Sequence, residues 1–254
     1  MDLRRNTFKA ALKEGKAQLG IWSSLPYAPI TEILSQSGFD WMLIDGEHGP
    51  LEIADFLPLL HAAAAGPITT AVRPPWNDKV LLKRVLDLGA QTVLVPFVQT
   101  VEEAQDAVRA VRYPPNGIRG VAGATRASGY GAIKDYLKRA DEEICLLLQV
   151  ETVEAMGRMA DIAAVDGVDG VFIGPSDLSA SMGHLGNPAH PDVQNAIREA
   201  AQTILKAGKA PGILATNAED AKRYLDWGYL FVACGIDLRL LTTGLTGLHA
   251  TMRG

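Results

Sequence analysis

Two carboxylates, a histidine and an arginine stand where apolar runs of this chain stop. Glu151 follows Cys145-Leu146-Leu147-Leu148-Gln149-Val150, and Asp177 follows Val171-Phe172-Ile173 across Gly174-Pro175-Ser176. A short apolar run bounded by turn residues reads as a buried strand. If the two strands are neighbours, their axes lie about 5 Å apart. Bare carboxylates so close repel, so a divalent cation or a shared proton must hold them together. Two protein oxygens with open positions for water and substrate suit Mg²⁺ or a similar ion. The plainer alternative is that Asp177 caps a helix and Glu151 begins one. His48, between Glu47 and Gly49, ends another apolar run and is a base, a ligand or a bystander. Arg73 follows Thr70-Ala71-Val72, and Pro74-Pro75 fix its direction. Its planar fork suits a carboxylate or an enolate oxygen, or else a structural ion pair with Glu47 or Asp45. Gln149, two residues before Glu151, completes the candidate group.

The segments that must position these residues alternate between short apolar runs and amphipathic stretches, eight times over. Strands are expected at residues 18–25, 39–45, 68–73, 91–98, 144–151, 170–174, 211–215 and 230–234. Helices are expected between them at 28–36, 53–65, 78–88, 101–112, 153–164, 191–207 and 218–227, with a last one at 238–251. An irregular passage at 113–131 precedes a short helix at 135–141, and Ser179 to Gly186 reads as a small-residue loop. Several helices stop at a glycine just before the next strand, among them Gly38, Gly89, Gly167 and Gly228. Eight strand–helix pairs in 254 residues predict an α/β fold, a (β/α)8 TIM barrel forming a single domain over 1–254. A doubly wound open sheet shows the same alternation but usually has fewer strands. It also wants a glycine-rich phosphate turn after the first strand, where this chain has Trp22-Ser23-Ser24-Leu25-Pro26. In a barrel the strand C-termini line one mouth, which would gather Asp45 to His48, Arg73, Gln149, Glu151 and Asp177.

Composition narrows the chemistry. With 24 Lys and Arg against 29 Asp and Glu, the net charge of −5 offers no polyanion-binding surface, so nucleic acid and anionic membrane are not expected partners. No apolar stretch approaches the ~18 residues of a membrane span, and residues 1–16 lack a signal-peptide core. The expected location is cytoplasmic. Cys145 and Cys234 sit in apolar runs and are expected to be reduced core residues. A Schiff-base aldolase needs a lysine near a strand C-terminus. The lysines here fall on helices, turns or the N-terminal arm, and Lys209 precedes the seventh strand at its wrong end. Carbonyl chemistry, if present, should be metal-assisted. Strands seven and eight end in Leu214-Ala215-Thr216 and Cys234-Gly235-Ile236-Asp237, too poor in glycine to favour a phosphorylated substrate.

Six segments, taken in order, resemble the HpcH/HpaI family of class II pyruvate aldolases over essentially the whole chain. They are Phe39 to His48, Val72 to Asp78, Arg112 to Gly120, Gln149 to Thr152, Asp169 to Ser179, and Gly186-Asn187-Pro188. The resemblance implies a divalent cation (Mg²⁺, Mn²⁺ or Co²⁺) on Glu151 and Asp177, chelated by the carboxylate and keto oxygen of pyruvate. It implies substrate contacts from Gln149, Gly174, Pro175, Ser176 and Asp177, with backbone N–H groups near Ser176 and Asp177 holding the pyruvate carboxylate. It makes His48 the acid/base, with Asp87 raising its basicity, and gives Arg73 the enolate and aldehyde oxygens. The implied reaction is reversible cleavage of 4-hydroxy-2-oxo acids into pyruvate and a small aldehyde. The resemblance further implies a homohexamer; the sequence offers the apolar last helix (Leu238, Leu240, Leu241, Leu245, Leu248) as a surface for a neighbouring subunit. Ser176 stands where close relatives often carry Ala, which a backbone contact tolerates. Residues 123–128 fall in a variable region of the family, leaving aldehyde preference open. A citramalyl/malyl-CoA-type lyase would want a basic surface for the nucleotide. A non-catalytic 2-oxo-acid-binding barrel would have no need of both His48 and Arg73.

Overall fold

Parallel strands with side chains alternating in and out close this chain on itself. The computed structural model describes residues 1–253, with eight strands paired in sequence order and the last paired to the first. They are β1 (Gln18–Ser23), β2 (Trp41–Asp45), β3 (Thr69–Arg73), β4 (Thr92–Val95), β5 (Cys145–Val150), β6 (Gly170–Ile173), β7 (Ala210–Leu214) and β8 (Phe231–Ile236). All pairs are parallel, as the right-handed strand–helix repeat requires. This is the expected (β/α)8 barrel.

The two-residue period of a strand sorts side chains into two cores. Met42, Ile44, Leu146, Leu148, Val171 and Ile173 face outward and pack under the helices. Leu43, Ala71, Cys145, Leu147 and Phe172 face inward and fill the barrel with Trp22, Trp41 and Phe231. One step further along the inward phase brings Asp45, Arg73 and Gln149 to the mouth. The other end is closed by the N-terminal helix Thr7–Lys13. Its Phe8 ring lies 5.5 Å from Trp41 and 5.8 Å from Phe231. Gly20 makes room for this packing, since a Cβ there would stand 2.2 Å from Trp41 Cε2. Cys145 and Cys234 are both free thiols.

Three elements differ from the sequence expectation. The small-residue passage after β6 begins as a helix, Pro175–Ser181; Pro175 occupies its first position, where a fixed φ and a missing N–H do no harm. The helix expected at 153–164 breaks into Val153–Met156 and Met159–Ala164 around Gly157, a poor helix former. The helix expected from Ile53 opens as a 3-10 turn, Ile53–Asp55, with a reciprocal Glu52/Asp55 capping box, and becomes α-helical at Phe56. The final helix, Asp237–Arg253, leaves the barrel with residues 239–253 exposed along their whole length. No helix among the described residues is long and apolar enough to cross a membrane.

Candidate active site at the barrel mouth

Asp45 and Arg73 are register partners at the ends of β2 and β3, and that adjacency builds the first half of the site. The guanidinium forks onto the carboxylate: Arg73 Nε donates to Asp45 Oδ1 at 2.9 Å and Nη2 to Oδ2 at 2.6 Å. Both side chains are buried. Trp22 Nε1 donates to Asp45 Oδ2 at 3.0 Å, and the Trp22 ring lies 4.8 Å from Arg73 Cζ. Burial alone would raise the Asp45 carboxyl, but the Arg73 fork and Trp22 hold it below its usual range. Arg73 Nη1 reaches across the mouth to Gln149 Oε1 at 3.2 Å. It also sits 2.6 Å from Glu47 Oε2, off the direction of a hydrogen bond, and that oxygen has no hydrogen-bond partner among the described residues. Burial raises the Glu47 carboxyl, with Asp45 and Asp177 adding to the rise and Arg73 opposing it.

The second half comes from β5 and β6. Their last register pair is Val150 with Ile173, so Glu151 and Gly174 stand side by side just beyond the sheet. Gln149 Nε2 donates to Glu151 Oε2 at 2.6 Å, extending the chain of contacts from Asp45 through Arg73 and Gln149. A Cβ on Gly174 would come within 2.2 Å of that same oxygen. The bare backbone of Gly174 is what lets the carboxylate lie there. Glu151 is 1% exposed, and its pKa is pushed up to about 7, chiefly by burial, with Asp177 and Glu47 adding to the rise. Asp177 lies in the first turn of the helix Pro175–Ser181 and is exposed. Among the described residues the Ser176 and Asp177 amides of that turn have no acceptor, as expected of first-turn N–H groups.

One cavity of about 230 Å³ gathers the predicted residues: His48, Arg73, Gln149, Glu151, Gly174, Pro175, Ser176 and Asp177 all line it. Trp22, Phe172, Leu214 and Ile236 supply apolar wall. His48 is largely exposed, its Nε2 3.9 Å from Glu47 Oε2. Neither Glu151 nor Asp177 is ion-paired to a basic side chain among the described residues. The donor set there is all oxygen, the preference of a hard divalent cation.

Asp87, which the resemblance pairs with His48, does not line this cavity within the single chain. It is the last residue of the nine-residue helix Lys79–Asp87, whose rise of about 13 Å carries it away from the mouth. There it accepts from Arg119 Nη2 at 2.8 Å. Arg119 is buried, its Cζ 4.5 Å from the Tyr113 ring, so Asp87 balances a buried charge.

The HpcH/HpaI aldolase/citrate lyase family model matches residues 18–243, from β1 into the final helix. The chain belongs to this family. A 4-hydroxy-2-oxo-heptane-1,7-dioate aldolase of Klebsiella pneumoniae is 55% identical over 96% of the chain and 93% of that protein. One of Escherichia coli is 54% identical over 96% and 94%. The solved structure of an HpcH/HpaI aldolase/citrate lyase family protein from Burkholderia cenocepacia superposes with a TM-score of 0.95 at 37% identity, covering 98% of this chain and 100% of that one. The structural ion pair that the sequence left open for Arg73 is present, and it engages both Asp45 and Glu47. Asp45 lies two residues past Leu43, in the inward phase of β2, which places it at the mouth.

Proposed function

We propose that this chain is a divalent-metal-dependent aldolase that reversibly splits 4-hydroxy-2-oxo acids into pyruvate and an aldehyde, the class of substrate named for its relatives. The observation that carries the reading is the meeting, in one cavity, of two carboxylates without a basic partner, a buried guanidinium and an exposed imidazole. Glu151 and Asp177 would hold Mg²⁺, Mn²⁺ or Co²⁺. Their fit is supported by the all-oxygen donor set, by the space Gly174 leaves for Glu151, and by the burial that, with Asp177 and Glu47 nearby, raises Glu151. Held there, the ion would supply Lewis-acid polarisation of the substrate's keto oxygen.

The chain's own groups divide the remaining work. The free amides of Ser176 and Asp177, at a helix N-terminus, hold the pyruvate carboxylate. Arg73, immobilised by Asp45 and Trp22, meets the negative charge that grows on the substrate oxygens. Gln149 keeps Arg73 and Glu151 in fixed relation by bonding to both. His48 takes the 4-hydroxyl proton in the cleavage direction and returns one in condensation, directly or through a water; such positioned help is typically worth ~10²–10⁴-fold. The apolar wall of Trp22, Phe172 and Leu214 limits water around the nucleophilic carbon. Incubation of 4-hydroxy-2-oxoheptanedioate with the protein and Mg²⁺, Mn²⁺ or Co²⁺ should release pyruvate; no pyruvate with any of the three would overturn the reading.

The same reading treats the whole chain as one catalytic domain in the cytoplasm, working as a homo-oligomer. The support for assembly is the final helix, where Leu240, Leu245, Leu248 and Met252 are 58–76% exposed. So many apolar side chains on one projecting helix mark a contact surface. A single-chain mass in sedimentation equilibrium would count against it.

A further inference from the structure

The connector between the helices Pro175–Ser181 and Pro191–Lys206 holds a side-chain cluster that the proposed reaction does not use. The His184 and His190 rings are stacked, centroids 3.5 Å apart and planes 14° from parallel. Asp192 Oδ2 lies 3.8 Å from His184 Nε2 and 3.7 Å from His190 Nδ1. Those separations are too long for hydrogen bonds. They are close to the spacing of donors around one small ion, since ligands bound at 2.0–2.1 Å in tetrahedral geometry stand about 3.3 Å apart. We propose that His184, His190 and Asp192 form a second cation site, built for a borderline transition ion such as Zn²⁺ or Ni²⁺, with water completing the coordination.

Three features support the assignment. The ligand atoms of these residues lie within 4.8 Å of one another, a convergence found for no other His, Cys, Asp or Glu trio among the described residues. Both imidazoles are partly exposed, at 27% and 31%, which gives an ion an entry path. The approach left to make is small. The rings must open from their stack by rotation about χ2, a soft torsion, so that their in-plane lone pairs meet. His190 Nδ1 must also give up the 3.3 Å bond it accepts from the Asp192 amide. Gly183 and Gly186, both at positive φ on either side of His184, leave that stretch of backbone free of Cβ constraints. Donor chemistry separates this site from the mouth: imidazole suits Zn, Ni and Cu, whereas all-oxygen sets suit Mg and Mn. An ion here would tie the end of the helix carrying Asp177 to the start of the next one, stiffening the connector.

The test is a Zn²⁺ titration by calorimetry in excess Mg²⁺, run on Glu151→Gln protein so that the mouth contributes nothing. One Zn²⁺ per chain is expected. Adding His184→Gln should weaken binding at least about tenfold, within the range that loss of a metal-site group produces. His190→Asn should do the same while keeping a helix N-cap and an unchanged melting curve. The proposal is overturned if Zn²⁺ does not bind, or if it binds equally with and without His184. Neither result depends on aldolase activity, so the fate of this site is read separately from that of the mouth.

Discussion

Replacing Gly174 by alanine should disable the mouth without unfolding the barrel. The added Cβ would meet Glu151 Oε2 at 2.2 Å, its Cβ at 2.9 Å and its Cδ at 3.2 Å. Ordinary carbon–oxygen contact needs over 3 Å, so the carboxylate must move by about 1 Å, and a misplacement of that size can cost about 10²-fold in rate. The shift also strains the 2.6 Å bond from Gln149, which ties Glu151 to Arg73. Backbone strain is not the cause, because Gly174 sits at φ −89°, ψ 98°, a region open to any L-residue. The expected outcome for Gly174→Ala is therefore a melting temperature near that of the parent, Mn²⁺ affinity by calorimetry down at least about tenfold, and pyruvate release down about 10²-fold. A folded Gly174→Ala protein that bound Mn²⁺ and turned over like its parent would refute the placement of Glu151 as a ligand.

Arg73→Ala should lower pyruvate release by about 10²–10³-fold, the usual cost of losing an oxyanion-stabilising donor. It should also destabilise the fold by about 3–5 kcal/mol in urea titration, because the buried Asp45 loses its fork; unchanged turnover would remove Arg73 from the mechanism. With the Glu151 pKa near 7, metal must displace a proton at lower pH, so Mg²⁺ affinity should fall about tenfold per unit below pH 7 and level off above it. The same raised pKa makes the metal-free protein lose stability as pH climbs from about 4.5 through 7, while Mg²⁺ removes that loss; identical pH–stability curves with and without Mg²⁺ would contradict it. Phe8→Ala should cost about 3–5 kcal/mol by opening the barrel floor, measured by denaturant unfolding, with catalysis in the folded fraction retained.

The barrel was legible because its strands obey a two-residue period and its helices stop at glycines, signals that local sequence carries. Most of the mouth was legible for the same reason: a polar residue after an apolar run, such as Glu151 or Arg73, can only sit at a strand end. What escaped depends on non-local contact. The bond from Arg73 to Gln149 joins β3 to β5 across the mouth, which no spacing encodes. The helix at Pro175 was hidden because Ser, Asp and Ala are compatible with loops, although Pro at its first position now explains its start. The floor plug by Phe8 pairs residues from opposite ends of the chain, Phe8 and Phe231. The Arg119 partner of Asp87, at the end of its helix, is likewise a contact between distant segments that spacing does not encode.

The central claim, that Glu151 and Asp177 hold a divalent ion needed for cleavage, is tested most directly by chelation. Protein stripped with excess chelator and given 4-hydroxy-2-oxoheptanedioate should release no pyruvate, and adding Mg²⁺, Mn²⁺ or Co²⁺ beyond the chelator should restore release in the parent but not in Glu151→Gln. Full pyruvate release in excess chelator would contradict the account.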